Sequence, residues 1–214
     1  MSDASEQRRD LKDRILEAAL QHAAFDGWGE RTLELAAADA GVDRATARRL
    51  FPQGGESLLE WLEDWADRRM LARVAGEDLT RLPVRRRIAR LVRARFEVLA
   101  PYRESLRRAA VARTLPQHLP GGLQALWRTV DRIWRTAGFE RTAEGMSYYS
   151  RRLLLAAILV ATFFYWLEDS SEDFRDTWAF LDRRIEDALT LGRLPERLAD
   201  FVPFGARRGP RPAG

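Results

Sequence analysis

Between Leu153 and Leu167 the chain runs fifteen residues without a charge, broken in its apolar character only by Thr162. As α-helix this stretch spans roughly 22 Å, short of the ~30 Å hydrocarbon core of a bilayer. It therefore reads as the central helix of a folded domain, and a helix apolar nearly all round must be covered on most of its sides by other elements. Those elements are helical too: apolar residues recur at three and four throughout, and no strand-like alternation bounded by hairpin turns is present. With 46% hydrophobic and 32% charged residues in 214, the composition is that of a folded chain and not of a disordered one. The expectation is one all-α domain of about nine helices.

Punctuation along the chain sets the boundaries. A first helix is predicted from Arg8 to Ala24, with Leu11, Ile15, Ala18, Ala19 and His22 on one stripe. Thr32 is placed to cap a short helix ending near Ala40, and Gly41 stops it. Asp43 caps a further helix ending near Phe51, since Pro52 disfavours helix at the preceding residue. Gly54-Gly55 is a turn, and a long helix follows from Glu56 to Ala75. Pro83 suits the first turn of the next, to Ala100. Others are expected from Pro101 to Leu115, Leu123 to Ala137, Ala143 to Leu167, and from the acidic cap Asp169-Ser170-Ser171-Glu172-Asp173 to Leu191.

Several chemistries are excluded. There is no Cys, so thiol nucleophiles and Cys-ligated metals are impossible. Only His22 and His118 are present, and no Glu-x-x-His pair, P-loop, G-x-G-x-x-G, G-x-S-x-G or H-E-x-x-H occurs. His22 reads as a packed histidine satisfied by the backbone, and His118 as a loop residue. No catalytic residue, metal site or cofactor is expected, and the chain is not read as an enzyme. Net charge is +4, with Lys12 the only lysine among many arginines. That balance does not by itself argue for nucleic acid. The N-terminus, Met1-Ser2-Asp3-Ala4-Ser5-Glu6, carries no secretory or transit pattern, so a bacterial-type, cytoplasmic location is expected.

The segment Thr32 to Val42, followed by Asp43 to Phe51, has helix-turn-helix spacing, with small Ala36 or Ala37 at the crossing, Gly41 in the turn and Val42 at the corner. It resembles the N-terminal unit of TetR-type repressors, whose third helix enters the major groove. Arg44, Arg48 and Arg49 are positioned for phosphates. The reading helix, however, is Ala-rich and offers only Thr46 and arginine to base edges. These residues alone leave DNA binding and its absence equally open.

More of the chain is similar to the accessory lipid-binding family of ubiquinone biosynthesis. The resemblance is carried by Ala18-Ala19-Leu20-Gln21-His22 with Phe25-Asp26-Gly27-Trp28, Leu50-Phe51-Pro52 with Gly55, Pro101-Tyr102, and Leu115-Pro116-Gln117-His118-Leu119-Pro120. Its most specific stretches are Tyr149 to Ile158, Asp169 to Trp178 and Phe180 to Ala188, and it extends from about Asp13 to Gly192. It implies a TetR-like homodimer without catalysis, in which a helix-turn-helix-like unit (8–52) precedes a helical lipid-binding and dimerisation region (53–194). An amphipathic, basic tail (195–214), expected to be partly disordered, follows.

The resemblance further implies an isoprenoid quinone-type lipid held in a C-terminal cavity. Candidate lining residues are Phe96, Leu99, Leu123, Trp127, Val130, Trp134, Leu155, Leu159 and Phe163. A hydroxylase of the ubiquinone pathway is the implied partner, docking on Asp173, Asp176, Thr177, Trp178 and Arg183. Periodicity groups Trp178 with Phe174, Leu181 and Ile185, a buried stripe; the resemblance implies an exposed Trp178, and exposure is the expectation carried forward. Leu198, Phe201, Val202 and Phe204, with flanking arginines, are candidates for peripheral contact with an anionic membrane on its inner face. The Arg-rich stretch Arg85 to Arg95 is either a second membrane contact or a solvated helix face. On this reading the chain presents a polyprenylated quinone precursor to a ring-modifying enzyme and DNA is an unlikely partner. A ligand-responsive repressor is the alternative.

Overall fold

Nine α-helices and no strand are formed by the described residues, 2–113, 119–138 and 146–191, of the computed structural model. They are α1 (Ser2–Asp26), α2 (Glu30–Asp39), α3 (Arg44–Leu50), α4 (Gly55–Val74), α5 (Val84–Leu99), α6 (Arg103–Arg113), α7 (Leu119–Thr136), α8 (Met146–Glu168) and α9 (Arg175–Leu191). The all-α expectation of about nine helices holds among these residues. His118 and the tail residues Leu198, Phe201, Val202 and Phe204 lie outside the described residues.

The helix-turn-helix corner forms for the reasons its residues give. Gly41 adopts φ +67°, which a side chain would resist. The turn closes with Val42 N–H donating to Ala37 O at 2.8 Å and Gly41 N–H to Ala38 O at 3.0 Å, the bonding of a glycine-terminated helix end. Ala36 and Ala37 are buried where α2 crosses α1. Asp43 caps α3, its carboxylate accepting the Thr46 N–H at 3.0 Å. Thr32 departs from expectation. α2 begins two residues before it, and the wholly buried Thr32 hydroxyl donates back to Gly27 O at 2.6 Å, closing the loop instead of capping the helix. α1 also starts earlier than the apolar stripe, where Asp3 favours the helix N-terminus and accepts from Gln7 one turn on.

α4 is the spine of the molecule and packs against α1, α5 and α7. Its entry is tight: a Cβ on Gly55 would sit 2.4 Å from Trp28 O, so only glycine lets the helix start against the 28–29 backbone. Beyond α4, helices α5, α7, α8 and α9 pack side by side, and α6 folds back onto α1.

α8 departs from the expectation of a helix covered on most of its sides. The 20 residues Tyr149–Glu168 are long and apolar enough by length and composition to cross a membrane, and 39% of their most apolar window is buried. Leu155, Ile158, Leu159, Thr162 and Trp166 enter the core, but Leu153 (60% exposed), Phe164 (52%) and Val160 (40%) form a bare apolar stripe on the opposite side. The helix is apolar all round because it has two apolar surfaces, one of them uncovered in the single chain.

Candidate functional site

A cavity of about 340 Å³ opens among α4, α5, α6, α7 and α8. Of the residues expected to line it, Phe96, Leu99, Leu123, Leu159 and Phe163 do so. Val130, Trp134 and Leu155 are instead packed in the core, and Trp127 stacks on Tyr149 with ring centroids 6.2 Å apart. The stripe of α7 that carries Trp127, Val130 and Trp134 divides its positions between core and cavity, a choice periodicity cannot make. The walls that sequence reasoning missed come from α4 (Leu62, Ala66), α6 (Leu106, Ala109, Ala110) and Leu126 of α7. Small residues on α6 leave the space, and nothing local marks an alanine as a cavity wall.

Burial is graded along the cavity. Leu62, Ala66, Arg95, Phe96 and Thr129 at its inner end are nearly inaccessible, whereas Leu123, Val160 and Phe164 are exposed at its mouth. The mouth thus opens onto the bare stripe of α8. The inner end is polar. Arg95 donates from Nε to Asp67 Oδ1 at 2.9 Å and from Nη2 to Glu63 Oε2 at 2.5 Å. Thr129 Oγ1 donates to both Asp67 oxygens at 3.1 Å, and Arg132 Nη1 stands 3.5 Å from Asp67 Oδ2. Burial alone would lower the Arg95 pKa, but the carboxylates of Glu63 and Asp67 outweigh it and hold the guanidinium charged, above its ordinary range.

The second expected surface lies at the start of α9. Asp173 and Phe174 both take left-handed backbone conformations (φ 52° and 56°) in the turn that leads into it. Asp173, Asp176 and Arg183 are exposed. Thr177 is wholly buried, and its hydroxyl donates to Asp169, so it holds the helix start and offers no surface. Trp178 is half-buried, between what periodicity and the resemblance implied. Its Nε1 donates to Asp173 O at 2.7 Å, its ring meets Phe174 edge-on, and the Arg93 guanidinium lies 5.0 Å from its centroid. Its accessible part lines a groove of about 230 Å³ between α5 and α9, with Arg86, Arg90, Arg93 and Asp182 around it.

The arginines elsewhere are largely spoken for. Arg44 pairs with Glu34, Arg48 with Glu30 at 2.6 Å, and Arg49 donates to the Thr46 hydroxyl at 2.7 Å. The α3 side chains that could reach DNA are thereby tied to α2 or to one another. On α5, Arg90 pairs with Glu77, Arg93 with Glu97, and Arg85 and Arg86 with Glu186 and Asp182 of α9, while Arg87 donates to three carbonyls. His22 is satisfied by a carboxylate, not by the backbone: its Nε2 is 2.7 Å from Asp39 Oδ2. Among the described residues no group of three acidic or histidine side chains is arranged to hold a metal ion.

Residues 119–192 match the family model described as COQ9. Over 201 residues the chain is 32% identical to the human mitochondrial ubiquinone biosynthesis protein COQ9, covering 90% of this chain and 62% of that protein. Over 214 residues it is 31% identical to the mitochondrial ubiquinone biosynthesis protein COQ9-B of Xenopus laevis, covering 92% and 69% respectively. The chain thus spans less than two thirds of the human protein's length. In structure it is similar to a TetR transcriptional regulator from Nitrosomonas europaea, with a TM-score of 0.69 and 26% identity over 85% of this chain and 99% of that one.

Proposed function

The chain belongs to the COQ9 family, and from that premise we propose that it is a non-catalytic accessory protein of ubiquinone biosynthesis. In this reading it binds a polyprenylated quinone precursor at the inner face of a membrane, from the cytoplasmic side, and presents it to a ring-modifying hydroxylase. The observation that carries the reading is the apolar cavity whose mouth opens on an uncovered apolar helix face. Polyprenyl tails do not dissolve in water, and an enclosure of this kind, with few polar groups at one end, is the usual form of a small-molecule site.

Two copies pair through the first part of the bare stripe of α8, at Leu153 and Ala157, one turn apart and both exposed, which leaves Val160 and Phe164 at the cavity mouth. The hydroxylase docks at Trp178, with Asp173, Asp176 and Arg183 as its polar surround and Thr177 beneath it. A half-buried aromatic residue amid charges is a common anchor of such contacts. Tail residues Leu198, Phe201, Val202 and Phe204 supply the membrane contact. DNA has no part in this reading, and the ion pairs of Arg44 and Arg48 with α2 support leaving it out.

The test is mass spectrometry of an organic extract from gently purified protein. A co-purified polyprenyl quinone or quinone precursor is expected. An extract with no isoprenoid, together with salt-sensitive binding to a specific DNA sequence, would replace the proposal with the repressor reading.

A further inference from the structure

The cavity and the groove beside Trp178 share no lining residue, yet the proposed function needs a partner at one to act on a ligand held in the other. What joins them is a layer of aromatic rings from α5, α8 and the start of α9. Phe96 and Phe163 line the cavity, their rings stacked with centroids 6.4 Å apart. Phe96 also meets Trp166 at 5.3 Å and Trp178 at 6.5 Å, both within the range of packed aromatic pairs. Trp166 meets Phe174 at 5.9 Å, and Phe174 closes on Trp178 at 6.3 Å. The Phe96 ring thus has the cavity on one side and the docking tryptophan on another.

Two costs mark this layer as one that a ligand can bias. Trp166 Nε1 and Thr162 Oγ1, one turn apart on α8, are buried without a hydrogen-bond partner among the described residues. Asp173 and Phe174 hold left-handed backbone conformations, which a bulky residue adopts only where its surroundings impose them. For Phe174 those surroundings are the rings of Trp166 and Trp178 and the Arg103 guanidinium, 5.3 Å from its centroid. The same turn supplies the Asp173 carbonyl that accepts the Trp178 indole N–H. The docking surface is therefore shaped by the aromatic layer, and two rings of that layer form cavity wall. Close-packed side chains of this kind shift between discrete arrangements, so a contact made at one end is felt at the other.

We infer that the cavity signals its occupancy to the docking surface: a prenyl tail packed on Phe96 and Phe163 pins the aromatic layer and orders the 172–174 turn and Trp178, so that the partner docks on loaded protein in preference to empty protein. The contact required is apolar only, and it leaves the ring of the ligand free at the mouth for the enzyme. Phe96 is the positioning residue of this coupling. The inference rests on the proposed function and adds its regulation. Coupling between two binding events is reciprocal, so docking tightens lipid binding by the same factor.

Hydrogen exchange of the full chain, with and without a benzoquinone bearing a farnesyl tail, tests it. Native mass spectrometry reads the occupancy. The amides of Phe174, Asp176 and Thr177 donate to Ser171 and Asp169, and none of these residues lines the cavity. At saturation they should exchange at least about fivefold more slowly, the low end of ordinary coupling between two sites, while the amides of α3 stay unchanged. Phe96→Leu keeps an apolar wall but removes the ring that packs on Trp178. The probe should still bind this variant, and the slowing at the start of α9 should be lost. Saturation without slowing at 174–177, equal slowing in α3, or slowing that survives in Phe96→Leu overturns the coupling and leaves lipid binding standing. A probe that does not bind removes the proposed function and the coupling with it. Should Phe96→Leu fail to fold, Phe163→Leu puts the same question from the other cavity-facing ring.

Discussion

Thr177 donates both its backbone N–H and its hydroxyl to a single oxygen of Asp169, at 2.9 and 2.5 Å, while the other Asp169 oxygen takes the Ser171 N–H at 2.7 Å. One carboxylate thus ties the end of α8 to the start of α9 across a turn that contains two left-handed residues. Burial acts to raise its pKa, but the donors of Thr177 and Ser171 outweigh it and hold the group at about 2 instead of 3.8. A depressed carboxyl pKa contributes stability that is fully present above the unfolded value and lost as pH falls through the folded one. Asp169→Ala should therefore cost about 2 kcal/mol or more at pH 7, since it leaves buried donors unmatched. In urea unfolding, the gap between wild type and variant should shrink between pH 4 and pH 2. A gap independent of pH would assign the loss to packing alone.

Gly55→Ala is expected to destabilise the chain by about 1–3 kcal/mol through overpacking. The added Cβ would meet Trp28 O at 2.4 Å and Gly29 N at 2.9 Å, and both are backbone atoms that no rotamer change can move aside. Trp28 is itself fixed by its indole N–H donating to Ser105 O at 2.9 Å. Chemical denaturation with an unchanged m-value would show the cost; Gly76→Ala, where a Cβ meets nothing within 4 Å, is the control.

How far the sequence carries depends on whether a property is local. The corner at Gly41 and the cap at Asp43 depend on residues within a turn of each other, and both were legible. Thr32 was misread because Ser, Thr, Asp and Asn close loops as well as cap helices, and the choice is made by the Gly27 carbonyl five residues upstream. The cavity was legible in part for the same reason. Phe96, Leu99, Leu159 and Phe163 lie on apolar helix faces, and such faces are all that periodicity reports. Whether a face meets a neighbour or a void is set by the small residues Ala109 and Ala110 on a different helix. The polar end was missed because Glu63, Asp67 and Arg95 look like ordinary helix charges until α4 and α5 are brought together.

Leu153→Glu tests the pairing of copies. Leu153 is 60% exposed and does not line the cavity, so a charge there costs a single chain little. It is expected to convert a dimer to a monomer in light scattering with unaltered helical circular dichroism. An unchanged dimer would move the interface off the α8 stripe. Leu181 of α9 is not a fair probe of pairing: it is 2% exposed within one chain, and a charge there would damage the core.

Ala110→Phe separates the cavity from the fold. Ala110 lines the space on α6 and is only partly buried, so a phenyl ring at this position projects into the void without displacing core atoms. Filling a cavity adds contacts that the empty protein lacks, and the thermal midpoint should stay level or rise. Lipid recovered in organic extracts should fall at least about tenfold, since a phenyl ring would take a large share of the roughly 340 Å³ that the ligand needs and would obstruct its path. Circular dichroism melts and mass spectrometry on the same preparation read both quantities at once. A variant that melts normally and still carries its lipid would show that the ligand sits elsewhere. The bare face of α8 would then be the next place to look, because it is apolar, accessible and long enough to lie against a bilayer or a second copy.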